Sequence, residues 1–156
     1  MSAARGATPQ DATELARLRL VMLSAEHPVQ DPAFAEQATG WFHDQLTDNP
    51  RFAAFVVPSD NGLISCAAGL LHHHPPRPGT APLRGHILSV TTDPQHRRRG
   101  HARTCVSALL GWLIEQGAAA VTLTSSHDGH ALYRDLGFAS DTDEYLVWRG
   151  PPASAI

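Results

Sequence analysis

Four arginines and a glycine form the densest patch of chemistry in the chain. Arg97, Arg98 and Arg99 run directly into Gly100, and Arg103 follows three residues later. The stretch around them, His86 to Ala108, reads as a strand (Ile87 to Thr92), a stop at Pro94, a basic turn, and a helix that starts at once. A helix entered through such a turn presents backbone N–H groups without intrahelical partners, together with the positive end of its dipole. That arrangement suits phosphate. Gly100 lets the backbone approach a ligand that a side chain would block, and Ala102 keeps the first helical turn low. The same pattern often marks a plain solvated loop, so spacing alone leaves both readings open. Two nucleotide-binding motifs are excluded, because there is neither a Gly-x-x-x-x-Gly-Lys-Ser/Thr nor a Gly-x-Gly-x-x-Gly after a strand.

The elements that must position this turn fit one domain. At 156 residues, 42% hydrophobic and 17% charged, the composition is globular, with one substantial core expected over residues 1–150 and a flexible tail at 151–156. The formal net charge of −3 makes the arginines a local feature and argues against nucleic acid as the main partner. No apolar run is long enough to span a bilayer, and the first nine residues do not resemble a signal peptide. Cys66 and Cys105 lie in apolar segments and read as buried thiols, which suits a reducing cytoplasm.

In chain order, Ala3 to Thr8 is a weak first strand. A helix follows from Pro9 or Asp11 to Ala25, and a second from Pro32 to Leu46. Phe52 to Val57 and Leu63 to Leu71 form a hairpin about Asn61-Gly62, with apolar residues on both faces, so helices should cover the sheet. His72 to Pro82 reads as a loop. The helix after the basic turn runs from Gly100 to Gln116, then come a strand (Ala119 to Thr124), a short helix (Asp128 to Leu136) and two last strands, Phe138 to Ala139 and Tyr145 to Arg149. The strand-helix-strand unit from Ile87 to Thr124 should be parallel and right-handed.

In this order of elements the chain resembles the GNAT superfamily of acyl-CoA-dependent N-acyltransferases. The family's Arg/Gln-x-x-Gly-x-Gly/Ala signature is matched by Arg97-Arg98-Arg99-Gly100-His101-Ala102, after Asp93-Pro94. Its second signature, a Tyr four residues before Gly-Phe, is matched by Tyr133 and Gly137-Phe138. The resemblance implies an α/β (α+β) GNAT fold: a central mixed, mostly antiparallel sheet of six to seven strands, about four flanking helices, and a parallel pair of fourth and fifth strands in which the fourth carries a bulge and splays from the fifth. It also implies acetyl-CoA as acyl donor, with no metal. Backbone groups of Val90, Thr91 and Thr92 would face the pantetheine arm, and the amides of Arg98 to Arg103 would hold the pyrophosphate. Arg97, Arg98 and Arg99 would supplement them with charge.

Tyr133 would then protonate the departing thiolate, after direct attack by an amine in a ternary complex. Ser126 stands where many members carry an Asn that contacts the cofactor, and its reach is shorter. No Glu lies on Val121 to Thr124, where some members that acetylate protein N-termini keep a base. This weakens the N-terminal class; a small-molecule amine is the expected acceptor, with a protein or peptide lysine or N-terminus as the alternative. A non-catalytic acyl-CoA-binding module is the other alternative.

An ammonium must lose a proton before it attacks, and candidate bases are Glu26, His27, His72 to His74 and His86. Glu26 and His27 are also candidates for contacting the acceptor. With Asp31, Asp141, Asp143 and Glu144, Glu26 forms an acidic set of loop residues able to attract a cationic amine. His72 and His74 share one face of an extended segment, but would need further ligands to hold a metal. The aromatic residues Trp41, Phe42, Trp112 and Trp148 are expected to fill the core, with lining of the acceptor site as the alternative for Trp41 or Phe42, because in the family the second helix borders it. An exposed final strand could pair with a second copy to give a homodimer.

Overall fold

The computed structural model describes residues 3–141 and 146–150. The chain divides into two compact units, Met1–Thr124 and Ser125–Ile156.

The first unit is built on a five-stranded mixed sheet in the order β1 (Arg5–Gly6), β2 (Phe52–Ser59), β3 (Gly62–His73), β4 (Leu83–Thr92) and β5 (Val121–Leu123). β1 to β4 pair antiparallel, and β5 joins β4 in parallel. Three helices, α1 (Ala12–Ser24), α2 (Phe34–Asp48) and α3 (His101–Glu115), pack on it. α1 buries Ala12, Leu15, Ala16 and Leu18, which recur at helical spacing and enter one core with Phe42, Phe52, Ala54, Val56, Cys66 and Ala68.

Alternate residues of β3 face the opposite way, toward α3, whose Cys105, Val106, Leu109 and Leu113 are buried. Gly69 and Gly85 let α3 lie close to the sheet, because a Cβ at either would come within about 3 Å of Leu109 or Leu113. Both faces are therefore covered, as the doubly apolar strands require.

An ionic knot ties α1 to the strand ends. Glu14 accepts from the Leu63 amide at 2.8 Å and from Arg17 at 2.7 Å. Arg17 in turn donates to the Leu63 carbonyl at 2.9 Å and to Asp93 at 3.0 Å. The residue that opens the basic turn is thus held from the far end of the β2–β3 hairpin. At the N-terminus, Pro9–Asp11 forms a separate 3-10 turn, with the Asp11 carboxylate accepting from the Thr8 amide and from Arg5.

The second unit holds α4 (His130–Asp135), which ends in a tight cap. Gly137 adopts φ 96°, its amide donates to the Arg134 carbonyl at 3.0 Å, and the Phe138 amide donates to the Tyr133 carbonyl at 2.9 Å. This is the Schellman pattern, completed by contact of the Phe138 and Tyr133 rings at 6.0 Å.

That cap explains a departure from the expected six to seven strands. Phe138 uses its amide to close α4 and carries no strand with Ala139, and Leu146 to Arg149 carry none either. Five strands occur among the described residues. Tyr145, Asp143, Glu144 and the expected tail at 151–156 lie outside them. Trp148 is 83% exposed and Trp41 43%, so neither fills the core as expected. Phe42, stacked edge-on to Trp41 at 5.1 Å, does.

Candidate active site

A single extra residue in β4 creates the most distinctive surface of the first unit. Ser89 pairs with Ala68 but Ile87 pairs with Gly69, which leaves Leu88 as the bulge. The bulge exchanges the residues whose backbone points away from β3. Before it, the Leu83 carbonyl and the Gly85 amide bond toward the β5 side, accepting from Ala119 and donating to Ala120, each at 2.9 Å. Beyond it, the Asp93 amide reaches the Ile64 carbonyl at 2.8 Å, so by the alternation of an antiparallel ladder Thr91 and Ser89 bond to β3. Val90 and Thr92 then point outward.

β5 has ended by this point, since its last pairing is Leu123 with Ile87. The parallel pair is closed from Gly85 to Ile87, and among the described residues no strand pairs with this edge of β4 from Leu88 onward, where the Leu88 carbonyl accepts from Arg19 at 3.4 Å. Of the three residues expected to face an acyl arm, Val90 and Thr92 offer backbone to this edge. Thr91 is turned into the sheet, with its carbonyl accepting from Ser65 Oγ at 3.0 Å.

The edge leads to the basic turn. Arg98 (φ 60°) and Gly100 (φ 83°) both adopt left-handed backbone, and Gly100 is the N-cap of α3. Backbone that alternates in this way turns successive amides toward one concavity, which favours an anion. The Thr104 amide donates to the Gly100 carbonyl at 3.1 Å, so the His101 and Ala102 amides precede the first intrahelical bond. Arg97, Arg98, Arg99 and Arg103 are exposed around this end, and Arg97 Nε donates to the Thr92 carbonyl at 3.3 Å. His101 turns inward and is only 9% exposed, leaving its backbone as its contribution to the turn. A cradle and an adjacent open strand edge suit a ligand with a polyanionic head and an extended amide-bearing arm.

In the second unit, Tyr133 is half-buried beside the turn that starts α4. Burial pushes its hydroxyl above the ordinary tyrosine value, so it stays protonated through neutral pH and can donate. Gly129 makes room for it, since a Cβ there would stand 2.9 Å from Tyr133 Cε2. Ser126 Oγ accepts from the Gly129 amide at 3.3 Å and keeps its own proton to donate.

Glu26 and His27 are exposed between α1 and α2. Within the first unit, His72 and His74 bring their Nε2 atoms to 3.0 Å, and His86 Nδ1 lies 2.7 Å from Thr122 Oγ1. Among the described residues no group of three or more His, Cys, Asp or Glu converges as a metal site. Both cysteines are buried and free. Burial pushes Cys66 to about 12 and Cys105 to about 11, which makes them inert as nucleophiles.

The resemblance implied a bulge in the fourth strand but not its place at Leu88, and neither the Glu14–Arg17–Asp93 knot nor the close approach of Tyr133 to Gly129 was read from the sequence. Only the last left a signal, a glycine four residues before Tyr133.

Searches against known proteins agree with this geometry. A family model described as acetyltransferase (GNAT) family matches residues 15–138. A predicted acetyltransferase from Clostridium acetobutylicum, crystallised with acetyl-CoA, is 25% identical, with 96% of each chain covered and a TM-score of 0.82. A GCN5-related N-acetyltransferase from Ralstonia eutropha is 22% identical over 96% of this chain and 100% of that one, at a TM-score of 0.78. Glucosamine-6-phosphate N-acetyltransferase from Arabidopsis thaliana shares the fold at 15% identity, covering 95% of this chain and 98% of its own, with a TM-score of 0.72. No curated protein sequence matches. Spanning most of the chain, the family match and the bulged, half-open parallel strand pair lead to one conclusion: this chain belongs to the acetyltransferase (GNAT) family.

Proposed function

We propose that the chain transfers the acetyl group of acetyl-CoA to a primary amine, with a small molecule as acceptor. The observation that carries this reading is the continuity of two features in one unit: a strand edge that no described strand pairs beyond Leu88, and a left-handed turn at the N-terminus of α3. They match the two ends of an acyl-CoA. The acetyl-CoA complex of the 25% identical Clostridium protein supports the same donor here.

On this reading the amides of Arg98 to Arg103 hold the pyrophosphate, with Arg97, Arg98 and Arg99 adding charge. Val90 and Thr92 bond the pantetheine arm, and outward N–H groups of β4 polarise the thioester carbonyl. Acetyl-CoA supplies an activated acyl group with a thiol leaving group. Tyr133 gives its proton to the sulfur as the C–S bond breaks, and Ser126 adds a hydrogen bond in place of the family's Asn. Residues 1–150 are read as one acetyltransferase domain. Two buried free thiols suit a cytoplasmic protein. Val121 to Thr124 lacks a glutamate, which favours a small amine over a protein terminus.

A panel of primary amines assayed for release of free CoA thiol tests the proposal. At least one small amine should raise release well above hydrolysis. Stimulation by lysine peptides alone would replace the acceptor class, and no stimulation by any amine would remove the transferase reading.

A further inference from the structure

Three imidazoles lie on one face of the sheet, beginning beside the closed end of the β4–β5 pair. His86 is the cross-strand partner of Leu70, which packs against the α1/α2 core, so the His86 side chain stands on that face. His72, two residues beyond Leu70 on β3, shares the face and is a diagonal neighbour of His86. His74 continues the row, with its Nε2 3.0 Å from that of His72 and the rings tilted at 4.8 Å. His86 is anchored at its other nitrogen, where Nδ1 meets the Thr122 hydroxyl on β5 at 2.7 Å. With Nδ1–H donating to Thr122, Nε2 keeps a lone pair.

The position in the strand matters as much as the ring. His86 is one of the three β4 residues paired with β5, and Leu88, where the pairing with β5 has ended, is two residues on, about 7 Å at an ordinary strand rise. An arm that enters from the basic turn and runs along Thr92 and Val90 brings its acyl end toward Leu88. We propose that His86 is the base that takes the proton from the acceptor ammonium, and that the His72–His74 pair passes it on to solvent. This rests on the acetyl-transfer reading above.

The protons balance. The ammonium gives one proton to His86 and becomes a neutral amine. The amine nitrogen bonds to the thioester carbon, the C–S bond breaks, and the sulfur leaves with the electron pair. The second proton lost by that nitrogen equals the one gained by the thiolate, so one proton per turnover leaves through the histidines.

The charges nearby suit neutral imidazoles. Burial holds His86 below the ordinary imidazole value. Burial, and then His74, His86, Arg84 and His73, do the same for His72. Both are therefore neutral at pH 7, and the Nε2 atoms of His72 and His74 stand within hydrogen-bond reach of each other. Arg84, the cross-strand partner of His72, donates to the Ala81 carbonyl at 3.1 Å.

The test is the pH profile of kcat/KM with an accepted amine, for wild type, His86→Gln and His72→Gln. The wild type should lose activity on the acidic side with an apparent pKa below the ordinary histidine value. His86→Gln should lose about 100-fold or more at pH 7, abolish that acidic limb, recover partly with added imidazole, and keep wild-type acetyl-CoA affinity by calorimetry. His72→Gln should make turnover depend on buffer concentration. Thr122→Val, which leaves the imidazole in place, should shift the acidic limb and so reports on His86 even if His86→Gln folds poorly. A His86→Gln enzyme with the wild-type rate and limb overturns the assignment while the transferase reading stands. A wild type that releases no thiol with any amine defeats the transferase reading, and the base assignment falls with it.

Discussion

Tyr133 serves two purposes that a substitution can separate. Its ring closes the α4 cap against Phe138 at 6.0 Å, and its hydroxyl, held protonated by burial, is the proposed acid. Tyr133→Phe keeps the ring. Melting temperature and acetyl-CoA affinity should therefore stay near wild type while kcat falls about 100-fold, measured by thermal scan, calorimetry and thiol release. Unchanged turnover would leave Tyr133 with the cap alone. The spacing of Tyr133 before Gly137-Phe138 is itself explained by the cap, since the Schellman bonds require a glycine at φ 96° four residues after the tyrosine. A motif that marks a proposed catalytic residue is thus also a helix stop.

At the scale of elements, the account places the donor's phosphates on backbone and gives the arginine side chains a secondary part. Gly100 at φ 83° is the position where this matters most, because a β-branched residue there costs about 1–2 kcal/mol of left-handed strain. Gly100→Val should therefore weaken acetyl-CoA binding by calorimetry more than Arg97→Ala, Arg98→Ala or Arg99→Ala does singly. The reverse ranking would make the cradle a side-chain site.

The helices, the hairpin and the parallel crossover were legible in the sequence because each carries its own punctuation: Pro9, Asn61-Gly62, Pro94, Gly117 and Gly137. The bulge was implied only by the family resemblance, and its place was not legible, since Leu88 sits in an unbroken run and its effect depends on pairing with β3. The last two expected strands failed for a related reason. An apolar pair such as Phe138-Ala139 satisfies a strand pattern, but its amide had a nearer partner in the cap. At the site, the Arg97 to Ala102 motif located the turn, while the choice of Val90 and Thr92 over Thr91 needed the register.

Across the first unit, the Glu14–Arg17–Asp93 knot couples the stability of the sheet to the placement of the basic turn. Hydrogen bonding from Arg17, and then from the Leu63 amide, holds Glu14 below its ordinary value against the opposing effect of burial. A carboxylate with a lowered folded pKa contributes stability above its unfolded pKa, about 4.3, and loses it as pH falls through the folded pKa. Glu14→Gln should cost about 1 kcal/mol at pH 7, allowing for the partial exposure of the pair. The urea midpoints of variant and wild type should converge on the acid side, and a constant difference from pH 7 to pH 3 would remove the ionic part of this account.

The central claim, that one continuous surface from Val90 to Arg103 receives an acyl-CoA, is tested most directly by titrating acetyl-CoA into the wild-type protein in a calorimeter. The account predicts saturable one-to-one binding that is strongly weakened by Gly100→Val. No measurable heat, with no shift in melting temperature at saturating acetyl-CoA, would contradict it.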